Sequence, residues 1–189
     1  MKRRQLKKYI RRETERFEKE SKPELPDRDT LMHLCAYRIA LETLTAEAVA
    51  WRTPVTGEEI FPFVITRHPA IVKAWKRAGR HVEPLCIIPE MTICQGDRSF
   101  LEVFLRKEIE EMDEIKSDIP FGLSEEGEAR HQSYRIALMT LTSEPKAWLH
   151  CSERFPFPAV TQSPDVAQSW KRNGFQVTPL YSLPDRLSS

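Results

Sequence analysis

The nine residues "YRIALETLT" that begin at Tyr37 return as "YRIALMTLT" at Tyr134, 97 positions later, with one change. A second segment, "TRHPAIVKAWKRAGRHVEPL" from Thr66, aligns at an offset of 95 with "TQSPDVAQSWKRNGFQVTPL" from Thr161. All four tryptophans of the chain fall into matched pairs in this alignment. We interpret the pattern as a tandem duplication with two small length differences between the copies.

The period defines the predicted domain organisation, with a first repeat unit at 1–95 and a second at 96–189. Solenoid repeats run about 20 to 50 residues, so a period this long is typical of a whole domain. We therefore expect each repeat to bury its own core, although a core of this size is modest. The two halves are also expected to pack about a pseudo-twofold axis, as the subunits of a homodimer do.

Two helices open each repeat, because apolar residues recur at helical spacing in both copies. A switch to aromatic and β-branched residues then predicts a β-hairpin. A short helix follows, and in the second repeat Ser163 is its predicted cap and Gly174 its left-handed stop. Trp75 and Trp170 lie four residues after Ile71 and Val166, which predicts that both rings are in the core.

The last strand of each repeat contains a proline, Pro84 in the first and Pro179 in the second. Proline has no amide hydrogen to donate, so this strand is predicted to be very short or to lie at a sheet edge. Each repeat therefore reads α-α-β-β-α-β. The predicted class is α+β, with a short antiparallel sheet covered by helices.

The composition is that of an ordinary soluble globular protein, with 40% hydrophobic and 30% charged residues. The longest apolar runs are too short to span a bilayer, and the charged N-terminal segment has no signal-peptide pattern. The four cysteines show no CxxC spacing. We therefore expect reduced thiols in a cytoplasmic protein that does not contact a membrane.

No residue pattern predicts a catalytic, cofactor or metal site. His33 with Cys35, and His150 with Cys151, lack the paired spacings of zinc sites. The chain has no GxSxG, phosphate-binding loop or HExxH sequence. An enzyme that uses a Cys–His pair built on Cys151 stays open as an alternative.

Charge divides the chain unevenly. Residues 1–95 contain 18 basic and 13 acidic residues, whereas residues 96–189 contain 11 and 15. Seven of the first twelve residues are basic, whereas the segment "KEIEEMDE" from Lys107 of the second repeat, which aligns with residues 12–19, is mainly acidic. The candidate partner-binding residues are Lys7, Lys8, Arg11, Arg12, Glu108, Glu110, Glu111 and Glu114.

Three interpretations of this charge division are open. In the first, the two helix faces are solvated surfaces whose sequences diverged after the duplication. In the second, the basic helix is an arm that binds nucleic acid. In the third, the first helices of the two repeats attract each other and hold the halves together. Oppositely charged surfaces also steer protein partners and reject wrong ones. The hairpin turns, which differ between the repeats, are a further place for recognition.

The second repeat contains Glu144-Pro145, Ala147-Trp148 and, from Val177, "VTPLY". This pattern resembles an "EPVAW…VTPLY" module in uncharacterised accessory proteins of lambdoid phages and prophages. The first repeat departs from it, with Ala48 where proline is usual and "VEPLC" at the end. The resemblance implies an origin in the mobile DNA of enteric bacteria and a location in the bacterial cytoplasm. It implies no activity.

The expected function is therefore that of a non-enzymatic accessory protein that binds a host or phage macromolecule, in the first place a protein. The alternative is nucleic-acid binding through the basic N-terminal helix. The third is an enzyme with an unrecognised site.

Overall fold

A computed structural model describes residues 2–20, 27–54, 63–88, 98–152 and 155–182, without the side chains of 151, 152 and 155–157. The helices are α1 (Arg3–Glu20), α2 (Arg28–Thr45), α3 (Pro69–Arg77), α4 (Arg98–Asp118), α5 (Glu125–Thr142) and α6 (Pro164–Arg172). The strands are β1 (Ala48–Pro54), β2 (Phe63–Thr66), β3 (Glu83–Cys86), β4 (Ala147–Ser152), β5 (Phe155–Thr161) and β6 (Gln176–Ser182). The order α-α-β-β-α-β thus occurs twice, and the predicted α+β class is confirmed.

The chain divides into two compact units, and neither coincides with a sequence repeat. The helical unit contains α1 and α2 from the first repeat with α4 and α5 from the second. The sheet unit contains all six strands together with α3 and α6. The repeat boundaries 1–95 and 96–189 therefore describe the sequence pattern, whereas the compact units each draw on both repeats.

In the helical unit, α2 packs against α5, while α1 packs against α2 and α4 against α5. The apolar stripes predicted for the first helices are buried, apart from Tyr9 and Phe104, which are half-buried. Tyr37 and Tyr134 are fully buried at equivalent positions of α2 and α5. The buried stripe residues are Leu6, Ile10 and Phe17 in α1 and Leu101, Leu105 and Met112 in α4.

In the sheet unit, the strand order is β2-β1-β3-β6-β4-β5, and every neighbouring pair is antiparallel. The order is symmetric: from each edge inward it runs through the second, first and third strands of one repeat. One hydrophobic cluster spans the centre of the sheet and contains Ala50, Leu85, Ala147, Leu149 and Leu180. Because this cluster takes residues from both repeats, the expectation that each repeat buries its own core is wrong.

The last strand of each repeat is predicted to be very short or to lie at a sheet edge, and neither alternative holds for β6, which is central and has seven residues. β3 and β6 are the two central strands and pair with each other. Their ladder joins Leu85 to Ser182 and Cys86 to Tyr181, so it uses only residues that follow Pro84 and Pro179. The missing proline amides therefore do not interrupt it. β3 is short, with four residues, as the proline also predicts.

The short helix of the second repeat begins and ends as predicted. Ser163 accepts a hydrogen bond from the Val166 amide, and Gly174 has a φ of 79°. The prediction for the tryptophans needs correction, however. Ile71 and Val166 are exposed, and the buried positions of these helices are Val72 and Ala167.

Trp75 and Trp170 lie three residues after these buried positions. Both rings are half-buried rather than enclosed in the core. The assignment of the stripe was wrong because a nine-residue helix offers too few turns to distinguish two neighbouring faces.

Candidate functional site

A groove of about 890 Å³ opens in the helical unit between α1 and α4, beside the start of α5. We call it the α1–α4 groove. Its basic lining residues are Arg12, Arg16, Lys19 and Arg130. Its acidic lining residues are Glu13, Glu15, Glu20, Glu108, Glu111 and Glu126, and its apolar lining residues include Met112, Ile115 and Leu123.

The α1 wall is braced by a buried carboxylate. Glu13 is 4% exposed and accepts from Arg12 Nε at 3.1 Å, while Arg16 Nη2 lies 3.0 Å from its other oxygen. Arg16 stands one helical turn from Glu13, the spacing at which side chains meet. Arg12 Nη2 also reaches Glu126 Oε1 at 2.9 Å. The hydrogen bonds that Arg12 donates to Glu126 and Glu13 raise the pKa of Arg12, so this guanidinium stays charged.

The acidic wall has a different character. Glu108 occupies the position equivalent to Glu13 and is half-buried. Burial raises the pKa of Glu108, and the neighbouring charge of Glu111 raises it further, although Arg130 opposes both effects. A carboxylate that is costly to keep charged alone is stabilised when a cation approaches. This wall therefore favours a positively charged group.

An aromatic cluster lies among α1, α2, α4 and α5. Tyr37 Oη lies 3.3 Å from Tyr9 Oη, and Tyr134 Oη lies 2.5 Å from His33 Nδ1. Burial raises the pKa of both Tyr37 and Tyr134, so both phenols stay neutral. Burial, followed by the charge of Arg130, lowers the pKa of His33. Neutral phenols beside a neutral imidazole form a packed polar cluster rather than an activated nucleophile.

The four basic candidates all lie on α1 but not on one surface. Lys8 and Arg11 are exposed and line a second cleft, between α1 and α5, that Arg12 shares with the groove. Lys7 is half-buried. Burial lowers the pKa of Lys7, and the charges of Arg3 and Arg11 lower it further. Positive charge is therefore crowded on this part of α1.

The four acidic candidates all lie on α4. Glu108 and Glu111 line the groove, whereas Glu110 and Glu114 are exposed outside it. None of the eight candidates forms an ion pair between α1 and α4 within these two fully described helices. The interpretation that the two first helices attract each other and hold the halves together is therefore not supported. Among the described residues, the ion pair that joins the repeats runs from Arg12 to Glu126 on α5.

Sequence reasoning missed Tyr9, Glu13, Arg16 and Arg130 as lining residues of the groove. One signal was present: Glu13 and Glu108 are acidic at equivalent positions of helices that otherwise carry opposite charge. It also missed Phe121, which is 97% exposed at the turn between α4 and α5, two residues before the groove residue Leu123.

The chemistry of the described side chains is limited. The thiols of Cys35 and Cys86 are buried, whereas Cys94 and the side chain of Cys151 lie outside the described residues. Among the residues that the structure describes, no group of three or more His, Cys, Asp or Glu side chains is placed to hold a metal ion. The enzyme alternative that uses Cys151 stays a prediction.

The hairpin turns at 55–62 and 153–154, and most of the predicted linkers at 21–29 and 90–99, also lie outside the described residues. None of the described helices has the length and apolar character required to cross a membrane. Comparison of the chain with protein-family models, curated protein sequences and solved structures finds no significant match.

Proposed function

We propose that this chain is a non-enzymatic accessory protein of phage or prophage origin that binds a host or phage protein in the bacterial cytoplasm. The observation that carries the proposal is the α1–α4 groove, which has mixed basic and acidic residues on α1, a half-buried carboxylate with a raised pKa on α4, and apolar residues between them. The phage origin rests on the "EPVAW…VTPLY" resemblance alone.

The groove suits a helical segment of a partner protein. Helix recognition by a groove relies on apolar anchors along one face, with charged edges that fix the orientation. Here Met112, Ile115 and Leu123 offer the apolar contact. Acidic groups of the partner helix would face the basic residues of α1, and basic groups would face Glu108 on α4.

The exposed ring of Phe121 extends this surface. Aromatic residues are enriched among the side chains that contribute most to protein interfaces. The turn that presents Phe121 has a defined backbone, because the Gly122 amide bonds to Ile119 O at 3.0 Å and Gly122 has a φ of 69°. A partner that covers the groove would therefore meet an exposed aromatic side chain on a turn with a defined backbone.

The test is capture of partner proteins from an enteric bacterial lysate, quantified by mass spectrometry. The groove variant Arg12→Glu with Glu108→Gln changes only groove residues and is expected to reduce capture by about tenfold or more. The matched control reverses exposed basic residues of the sheet unit and is expected to capture normally. The control positions are Lys73, Lys76, Arg77 and Arg80.

Two broader variants complete the experiment, one reversing Lys7, Lys8, Arg11 and Arg12 and the other reversing Glu108, Glu110, Glu111 and Glu114. Capture that is unchanged in all three variants, with each variant folded by circular dichroism, would remove α1 and α4 from the recognition surface. The interpretation of the charged faces of α1 and α4 as ordinary solvated surfaces would then be favoured.

Nucleic-acid binding is the second candidate, favoured by the exposure of Arg4, Lys8 and Arg11 on α1. It predicts binding that weakens steeply with salt, because neutralised phosphates release counterions. Arg3 is not expected to bind phosphate, since its Nη2 donates to Leu44 O at 2.9 Å. Fluorescence anisotropy with duplex and single-stranded oligonucleotides at low salt decides the matter, and absence of binding there ends this candidate.

A further inference from the structure

α1 and α4 each carry an exposed stripe of charge with the same spacing. On α1 the stripe is Arg4, Lys8, Arg11 and Glu15, and on α4 it is Lys107, Glu111, Glu114 and Asp118. Both sets have intervals of four, three and four residues, which place the side chains along one face of a helix. All eight residues are exposed.

The signs of charge along the two stripes match in one arrangement only. When the helices run antiparallel, the rungs are Arg4 with Asp118, Lys8 with Glu114, Arg11 with Glu111 and Glu15 with Lys107. All four rungs are attractive. A parallel arrangement instead opposes Arg4 to Lys107 and Glu15 to Asp118, which are like charges.

Pairing either helix with its own copy is also unfavourable. Two antiparallel α1 helices in this register oppose Lys8 to Arg11, and two antiparallel α4 helices oppose Glu111 to Glu114. Like-charge contacts of this kind select against the wrong pairing. The pattern therefore specifies α1 against α4, in one direction and in one register.

One more pair of residues continues this antiparallel pairing, and it is apolar on the α4 side. Val103, which is 66% exposed, continues the α4 stripe by four residues and would oppose Lys19, which continues the α1 stripe by four. The aliphatic stem of a lysine can cover an exposed apolar side chain while its ammonium group stays in water.

Within one chain this pairing is not used. The ion pairs that stripe residues form in the described helices are local, such as Lys107 to Glu111 at 3.4 Å within α4. An exposed pair at this spacing contributes little to stability and leaves both groups accessible. We infer that the chain self-associates, with the α1 stripe of one copy lying antiparallel on the α4 stripe of a second copy.

The two stripes suit a closed dimer. Glu15 and Glu111 both line the α1–α4 groove, so each stripe adjoins the same groove. A twofold axis would then place the α1 stripe of each copy on the α4 stripe of the other, which forms the helix pair twice. Electrostatic contacts of this kind weaken as salt screens them.

Sedimentation of the purified, nuclease-treated full chain tests the inference with a charge exchange. The α1 variant carries Arg4→Glu, Lys8→Glu, Arg11→Glu and Glu15→Lys. The α4 variant carries Lys107→Glu, Glu111→Lys, Glu114→Lys and Asp118→Lys. Wild type is expected to form a reversible dimer that weakens by about tenfold or more as salt rises from low to high ionic strength. Each variant alone is expected to be monomeric.

An equimolar mixture of the two variants is expected to dimerise again, and so is the chain that carries all eight changes, because both restore four attractive rungs. Circular dichroism checks that each variant is folded, and the single change Glu114→Lys gives the same readout should a fourfold variant not fold. The groove variant, Arg12→Glu with Glu108→Gln, should dimerise as wild type does, which separates self-association from partner capture. The inference is overturned if wild type stays monomeric at high concentration and low salt, or if either variant dimerises alone. It is also overturned if the chain is a monomer whose α1 stripe binds an oligonucleotide.

Discussion

In the helical unit, Arg3 of the first repeat and Arg98 of the second occupy equivalent positions and make the same contact. Each guanidinium donates to a backbone carbonyl near the end of the following helix, Leu44 O for Arg3 and Leu141 O for Arg98. The polar partners of the two buried tyrosines differ, however. The two repeats thus agree in the contacts that hold helix to helix and differ in the side chains around them.

The difference is clearest at His33 and its equivalent, Arg130. His33 bonds to Tyr134, and Arg130 bonds to Tyr37, so each polar side chain reaches the tyrosine of the other repeat. What both repeats preserve is a polar group that satisfies a buried phenol. The identity of that group is free to change because a buried hydroxyl requires only a partner of suitable geometry.

The two halves of the sheet differ in a comparable way. In the first repeat, Arg52 Nε lies 2.5 Å from Glu83 Oε2, with side chains that are 12% and 17% exposed. The equivalent residues of the second repeat are Leu149 and Thr178. Replacing a mostly buried ion pair by apolar or small residues is often neutral, whereas removing one partner leaves an uncompensated charge. We therefore expect the sheet to tolerate replacement of both residues of the ion pair together but not of one residue alone.

The largest expected effect breaks that pair. Arg52→Leu is expected to destabilise the sheet unit by about 3 kcal/mol, because Glu83 is left charged and mostly buried. The double change Arg52→Leu with Glu83→Thr installs the residues of the second repeat and is expected to recover most of the loss. Chemical denaturation measures both values. A double variant as unstable as the single one would show that the first repeat depends on the charges themselves.

The next effect compares the two short helices. The ring centroids of Trp170 and His150 are 5.2 Å apart, and α6 packs against β4, β5 and β6. The position equivalent to His150 is Thr53, which instead donates to His81 O at 2.8 Å. Trp170→Ala should therefore cost about 2–3 kcal/mol and Trp75→Ala clearly less, because both rings are half-buried and, among the described residues, Trp170 alone covers a second buried ring.

Equal costs for the two tryptophans, measured by denaturation, would mean that ring burial alone decides. A change of less than about 0.5 kcal/mol at either position is the range of an ordinary surface substitution. That tryptophan would then have to be considered as a contact residue for a partner.

The local structure was predictable because every helix and strand pattern occurs twice. A stripe such as Leu6 and Ile10, matched by Leu101 and Leu105, is a stronger signal than either stripe alone. The exchange of elements between repeats was not predictable, because α2 presents the same apolar face whether it packs on α1 alone or also on α5. Hydrophobic periodicity reports which face is buried and not which neighbour buries it.

The candidate site was predictable only in part. Charge along the sequence identified Arg12 and Glu108 as candidates, and both line the groove. It did not identify Glu13 as the braced carboxylate, because its burial depends on Arg12 and Arg16 folding over it. Phe121 was unpredictable for the opposite reason, since an aromatic residue in a linker gives no indication of whether the fold will cover it.

A smaller effect concerns His131, whose equivalent in the first repeat is Leu34. His131 is buried, and its Nε2 lies 3.0 Å from Asp113 Oδ1 without the alignment of a hydrogen bond. Burial lowers the pKa of His131, although Asp113 opposes the shift. The folded state therefore takes up this proton less readily than the unfolded state, so stability falls as the pH drops below the unfolded pKa of about 6.5.

His131→Leu places the residue of the first repeat at this position and should make unfolding free energy less dependent on pH between about 7 and 5. His33 contributes a slope of the same sign, because burial lowers its pKa as well, so part of the dependence should persist. Denaturation curves across this pH range measure the slope. A slope identical to that of wild type would show that His131 takes up its proton equally well in the folded state.

The smallest expected effect lies where the two repeats meet directly, at Thr43 and Thr140. Their hydroxyl oxygens are 2.9 Å apart, and each hydroxyl also lies 2.8 Å from the carbonyl four residues earlier in its own helix, Ile39 O and Ile136 O. Two hydroxyl protons cannot satisfy three contacts at once. Replacing both threonines by valine keeps the shape and leaves no buried donor unpaired, so the double variant should lie within about 0.5 kcal/mol of wild type in thermal denaturation. A loss of about 2 kcal/mol or more would instead mean that the hydroxyl pair fixes how α2 and α5 meet, and the repeats would then share a specific polar contact rather than apolar packing alone.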